Sequence, residues 1–142
     1  MLKAMNSINS DLQFTMEICS DFEGERLPTL SFSVWEDIDG LMHTYFEKAM
    51  RNQILLVERT AMSKQSLFSI LGNELSRWLE VLDEKISEKE MVEVVNKFIQ
   101  QLINSEFKPM QIREVVLSGL IGYTRKETLR RHMMRVHGQK LV

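Results

Sequence analysis

An α+β fold is predicted for this chain by two observations: a change of hydrophobic period near residue 60, and the turn and capping residues that punctuate the pattern on either side. Before that point apolar residues alternate with polar ones, as in half-buried strands; beyond it they recur three and four apart, as in amphipathic helices. The expectation is a small antiparallel β-sheet with hairpins over about residues 11–60, then a three-helix unit over about 63–136. With 142 residues, the chain suits one domain, or a β-rich segment of residues 1–60 joined to a helical segment of 61–142.

The first strand is read from Leu12, Phe14, Met16 and Ile18, which alternate with Gln13, Thr15 and Glu17. Asp21 to Glu25 then offers turn chemistry, with Gly24 available for a positive φ. A second alternation has Leu30, Phe32 and Val34 on one side and Ser31 and Ser33 on the other. Pro28 has no N–H for a ladder and belongs at the start or edge of that strand. Asp39-Gly40 signals a hairpin, with Leu41 to Glu47 as the return strand. Ile54 to Glu58 is a fourth, shorter candidate.

Ser63 can cap a helix carrying Leu67, Ile70, Leu71, Leu75, Trp78, Leu79 and Leu82. Ser87 and Glu90 form a capping-box pattern ahead of a helix with Met91, Val94, Val95, Phe98, Leu102 and Ile103 on one side. Pro109 suits the first turn of a third helix, which buries Ile112, Val115, Val116 and Leu120 and runs to about Val136, with Gly138 as its C-terminal cap. Gly119 and Gly122 each weaken that helix by roughly 1 kcal/mol relative to Ala, and a bend between the packed part and the basic tail is expected there.

The net charge of −2 conceals a gradient. Residues 1–47 hold nine acids and two bases, residues 48–122 hold ten of each, and the tail from Tyr123 carries six bases (Arg125, Lys126, Arg130, Arg131, Arg135, Lys140) against Glu127 alone. Only the tail would attract a polyanion strongly. Its cations could contact phosphates or simply complement the end of a helix. His132 and His137 look like the second half of a zinc finger, but the sole cysteine, Cys19, is far upstream, so a Cys2His2 site cannot be assembled and no metal is expected. One cysteine also rules out an internal disulfide and agrees with a reducing compartment, so an intracellular location, cytoplasmic or nuclear, is expected. No segment reads as a membrane span or as a secretory signal.

Catalytic patterns are missing from the sequence: no Walker loop, no Gly-x-Ser-x-Gly, no His-Glu-x-x-His, no dinucleotide fingerprint. Asp37 and Asp39 sit beside Gly40 and read as turn residues. His43 lies on a strand without a nucleophile beside it, and nothing basic flanks Cys19 to activate it. No cofactor is expected. Trp35, Tyr45 and Phe46 could stack on bases, although half-buried strands favour aromatics in any case.

Several segments, taken in order, carry a resemblance. Leu12-Gln13-Phe14-Thr15-Met16-Glu17 fits a hydrophobic-x-Phe-Thr-x-Glu strand. Leu27-Pro28-Thr29-Leu30-Ser31 resembles Leu-Pro-Phe-Leu-Asp, with Thr29 and Ser31 as departures. Tyr45-Phe46-Glu47-Lys48-Ala49 echoes an aromatic-x-Lys-Pro segment, with Ala49 in place of the proline. Asn104 to Pro109, followed by the apolar run Ile112 to Leu120, resembles a helix that closes in Asn-Gly-Tyr-Pro and reopens. Together, over about residues 10–122, they resemble the region just downstream of the catalytic core in reverse transcriptases of Penelope-like eukaryotic retroelements.

The resemblance implies the end of the palm and a helical, helix-turn-helix-like thumb, which in such enzymes holds the primer–template duplex. It implies no catalysis by this chain, because the metal-binding aspartates of the family lie upstream and no Tyr-x-Asp-Asp occurs here. An RNA–DNA or DNA duplex is then the expected partner, held by charge and shape, with an upstream polymerase core as a second. Lys48, Arg51, Arg125, Lys126, Arg130 and Arg131 are the candidate backbone contacts. The alternative is a protein-interaction or self-association module without nucleic-acid function.

Overall fold

A computed structural model describes residues 2–9, 11–38, 40–48 and 53–140, the last five as backbone only. The fold is α+β, an antiparallel sheet followed along the chain by helices. The chain divides into two compact units, Met1–Phe46 and Glu47–Val142, so residues 47–60 belong with the helices. No helix among the described residues is long and apolar enough to cross a membrane.

The first unit opens with a short helix, α1 (Leu2–Asn6). The strand expected over residues 12–18 is not formed. Leu12, Phe14, Met16 and Ile18 remain 44–58% exposed, and the side-chain amide of Asn6 takes both backbone groups of Phe14, accepting from its N–H at 2.6 Å and donating to its carbonyl at 3.0 Å. A side chain has taken the place of a neighbouring strand. Two short 3-10 turns follow, Cys19–Asp21 and Glu23–Glu25. Gly24 has φ 67° there, as its sequence context suggests, and Glu25 shares the left-handed region at φ 54°.

The sheet has three strands in the order β1 (Leu27–Thr29), β2 (Phe32–Asp37), β3 (Gly40–Tyr45), all antiparallel. Pro28 sits opposite Ser33 on the edge strand, where its missing N–H costs no ladder bond. Leu30 is in the turn between β1 and β2, 89% exposed, rather than in a strand. The expected inward side, Phe32 and Val34, is half-buried, while Ser33 and its partner Thr44 are buried together with Met42. Asp37 pairs with Gly40 across the hairpin, and Gly40 has φ 111°, a conformation that glycine adopts without strain. Asp39 lies outside the described residues. The guanidinium of Arg26 lies 4.1 Å over the Trp35 ring, a cation–π contact that occupies one face of that aromatic.

The second unit contains α2 (Lys64–Glu80), α3 (Glu88–Asn104) and α4 (Pro109–Lys140). Ser63 accepts from the Ser66 amide at 3.2 Å and Ser87 from the Glu90 amide at 3.3 Å, satisfying donors that the first turn leaves free. The core gathers Leu67, Leu71, Leu75, Trp78 and Leu79 of α2 with Phe98 and Leu102 of α3 and Val115 of α4, all nearly inaccessible. Full burial of each is worth roughly 1.5–3 kcal/mol. Trp78 meets Phe98 edge-on at 5.1 Å and donates its indole N–H to Glu74 at 2.9 Å. Ile70 and Ile103, expected on the apolar faces, are instead 45% and 51% exposed.

The fourth strand expected at Ile54 to Glu58 is likewise absent, because its polar groups are claimed by the end of α3. The Leu55 amide donates to Ser105 Oγ at 2.9 Å, the Glu58 amide to the Ser105 carbonyl at 3.4 Å, and Asn104 donates to the Gln53 carbonyl at 3.1 Å. Helix α3 closes in a Schellman arrangement: Phe107 N–H returns to Leu102 O at 3.1 Å and Glu106 N–H to Ile103 O at 3.0 Å, with Glu106 at φ 68°.

Helix α4 is one continuous helix through Gly119 and Gly122, not two segments around a bend, and it runs past Gly138 to Lys140. Gly119 serves close contact rather than bending, whereas Gly122 leaves room for a side chain. A β-carbon on Gly119 would meet Leu75 at 2.9 Å, one on Gly72 would meet Ser118 Oγ at 3.0 Å, and one on Gly122 would face Ser76 Oγ at 3.8 Å. Lys126 then meets Glu80 at 2.6 Å. The matched steps along both helices mean that α2 and α4 run parallel, joined along a seam of small residues, with α3 returning between them in sequence.

Candidate nucleic-acid interface

Because α2 ends at Glu80, opposite Lys126, the rest of α4 continues without α2 beside it. Every side chain from Thr128 to Arg135 is exposed. An ion pair one turn apart, Glu127 to Arg131 at 3.0 Å, supports this stretch, and Thr124 and Thr128 each donate to the carbonyl four residues earlier at 2.9 Å.

The sequence places four candidate cations close together; the helix separates them. At ~100° per residue, Thr124, Arg125, Thr128, Arg131, His132 and Arg135 fall within one arc of about a third of a turn, all exposed. Lys126 and Arg130 fall on a different arc, with Leu129 and Met133. Arg135 and His132 therefore join Arg125 and Arg131. Their spacing of seven and ten residues along a helix carries that grouping, a signal that adjacency in sequence obscures.

Lys126 and Arg130 stand at the rim of a cavity of about 300 Å³ lined also by Glu80, Leu82, Glu84, Tyr123 and Glu127. Three carboxylates there offset the two cations. Lys126 pairs with Glu80, which also accepts from Ser76 Oγ at 3.1 Å, as Arg131 pairs with Glu127 on the neighbouring arc. Burial, and after it the Glu127 carboxylate, raise the Tyr123 phenol above its ordinary value. Arg125, with Thr124, Thr128 and Leu129, lines a shallow groove of about 350 Å³ on the other side.

Lys48 is exposed but belongs to another place. Its neighbour Glu47 accepts from Gln101 Nε2 at 2.6 Å, near the end of α3 from which α4 begins, whereas Arg125 is about 24 Å along α4 from Pro109. Arg51 lies outside the described residues, as do the side chains of His137 and Lys140.

Of the residues considered for chemistry, Asp39 lies outside the described residues, and Asp37, His43 and Cys19 sit on three different elements. Asp37 accepts from the Ile38 amide at 2.7 Å, as a turn residue does. Cys19 is exposed, and His43 is half-buried on β3 opposite Val34. Among the described residues no group of three or more His, Cys, Asp or Glu side chains is placed to hold a metal ion. What the exposed arc can do is present guanidinium and imidazole donors along one face of a continuous helix. No protein-family model matches this chain, and neither does any curated protein or solved structure.

Proposed function

We propose that this chain is a non-catalytic nucleic-acid-binding unit, resembling the palm end and thumb of a Penelope-like reverse transcriptase, which holds the backbone of an RNA–DNA or DNA duplex. The observation that carries the reading is the exposed arc of Arg125, Arg131, His132 and Arg135 on the part of α4 that extends beyond α2. Arginines on one face of a rigid helix suit phosphates, which accept bidentate charge-assisted hydrogen bonds. Lys126 and Arg130 are secondary contacts in this reading, since they face the acidic cavity. A polymerase core supplied from upstream would provide the catalytic aspartates, and the cytoplasm or nucleus would be the place of action.

Fluorescence anisotropy with a labelled RNA–DNA hybrid tests it. Affinity should fall as salt rises, and Arg125→Ala with Arg135→Ala should reduce the logarithmic salt slope by about one unit for each phosphate left without its arginine. Binding indifferent to salt, or none at low salt, would rule the reading out. A second reading, a protein-interaction or self-association module, draws on Leu129 and Met133, which are 62% and 58% exposed beside the basic arc.

A further inference from the structure

The seam by which α4 packs on α2 does not stop where α2 stops. Val115, Gly119, Gly122 and Lys126 follow one another at alternating steps of four, three and four, and the same steps continue to Leu129 and Met133. This is the heptad rhythm that lets one helix lie along another. Over its first half the seam is filled: Val115 is fully buried, and Gly119 and Gly122 lie against α2. Past Glu80 the same line carries large apolar side chains left largely exposed. Just beyond Glu80 the chain's own Leu82 and Glu84 line a cavity with Lys126, Glu127 and Arg130, and past them the line of the helix–helix interface runs on to the exposed Leu129 and Met133.

The chemistry of the occupant follows from what borders that line. In heptad terms Leu129 and Met133 are seam positions, while Arg125 and Arg130 flank them on opposite sides. At the last filled step, α2 meets a seam cation with a carboxylate, Glu80 to Lys126 at 2.6 Å. A second copy of this helix laid parallel would set Arg125 opposite Arg130, like charges that repel at flanking positions. A helix bearing Leu-type residues along its seam and Glu or Asp on its flanks meets both demands.

We propose that the extension of α4 is a docking track for an acidic amphipathic helix of a partner protein, which continues the path of α2 beyond Glu80 and seats on Leu129 and Met133 between Arg125 and Arg130. The proposal rests on the protein-interaction reading. It uses a face of α4 adjoining the basic arc and shares only Arg125 with it.

The test uses the full chain and two labelled synthetic heptad peptides with identical leucine seams, one flanked by glutamates and the other by lysines. Anisotropy should show saturable binding of the glutamate peptide, weakened about tenfold or more in the Leu129→Ser/Met133→Ser variant and weakened also in Arg130→Ala. Both variants alter exposed residues, and far-ultraviolet circular dichroism should show unchanged helix content. Equal binding of both peptides, or binding untouched by the Leu129→Ser/Met133→Ser change, overturns the proposal. So does a concentration-dependent dimer in sedimentation equilibrium that the same double change abolishes, which would assign the track to a second copy and leave the broader interaction reading standing. If neither peptide binds and the chain stays monomeric, both fail. Equal loss of RNA–DNA hybrid binding in the double variant would give the track to nucleic acid instead.

Discussion

The backbones of Gly72 and Gly119 approach so closely that a β-carbon on Gly119 would stand 3.0 Å from the Gly72 carbonyl oxygen and 2.9 Å from Leu75. Gly119→Ala should therefore destabilise the chain by about 1–3 kcal/mol through overpacking, although alanine is the better helix former by roughly 1 kcal/mol. Gly122→Ala meets Ser76 only at 3.8 Å and should be neutral or mildly stabilising. Urea unfolding of the two variants decides it. If both move stability in the same direction, propensity rather than contact governs the seam.

The Schellman turn after α3 sets a glutamate, Glu106, at φ 68°, where a residue with a β-carbon is strained by roughly 1–2 kcal/mol. Glu106→Gly should raise the urea midpoint, corresponding to about 0.5–1 kcal/mol. The gain is reduced by greater freedom of glycine in the unfolded chain and by removal of the exposed pair with Arg59, itself worth little. A fall in midpoint would mean that the Glu106 side chain contributes more than its backbone strain costs.

Tyr123 gives the fold a pH dependence of its own. Burial and the Glu127 carboxylate raise its phenol above the ordinary value of 10.0, so the folded chain retains that proton more tightly than the unfolded chain does. The associated stability is fully present below the unfolded value and is lost as pH climbs through the folded one. Alkaline unfolding midpoints should decline from about pH 10 upward, and Tyr123→Phe should decline less over that window. Identical slopes in the two proteins would contradict the assignment.

On the nucleic-acid reading, Glu80 restrains Lys126. Glu80→Gln should release that cation and tighten hybrid binding a few-fold at low salt, by adding up to about one phosphate contact. Lys126→Ala should change the salt slope less than Arg125→Ala. Anisotropy at several salt concentrations separates these cases, and weaker binding by Glu80→Gln would show that the ion pair orients α4 rather than withholding charge.

Much of the helical unit could be read from spacing and caps: Ser63 and Ser87 do what their positions suggest, and the seam residues of α2 recur as a buried stripe. The misreadings share a cause. Periodicity reports what a segment could do if a partner were present. Phe14 finds the amide of Asn6 and Leu55 finds the hydroxyl of Ser105 before either finds a strand. Gln101 and Ser105 are buried polar residues within α3 and at its end, linked to the preceding segment, and no alternation of apolar residues announces them. Gly119 was legible as a weakness of an isolated helix, but the helix that needs it, α2, is distant in sequence. The basic tail was legible as charge and not as a face, since neighbouring residues on a helix point about a third of a turn apart.

The parallel alignment of α2 and α4 also bears on how the unit comes into being. The contacts linking Gly72 to Gly119 and Glu80 to Lys126 span nearly fifty residues and enclose the whole of α3. Two adjacent helices made early in synthesis can fold back on each other at once, as α2 and α3 can through Trp78 and Phe98, but the face of α2 around Gly72 and Leu75 waits for α4. Until the ribosome has released the chain through the Lys126 region, α2 exposes the groove around Gly72 and Leu75 with nothing to fill it. In that interval the α2–α3 hairpin should leave an apolar side uncovered that closes only when α4 arrives, the kind of surface that favours aggregation over folding.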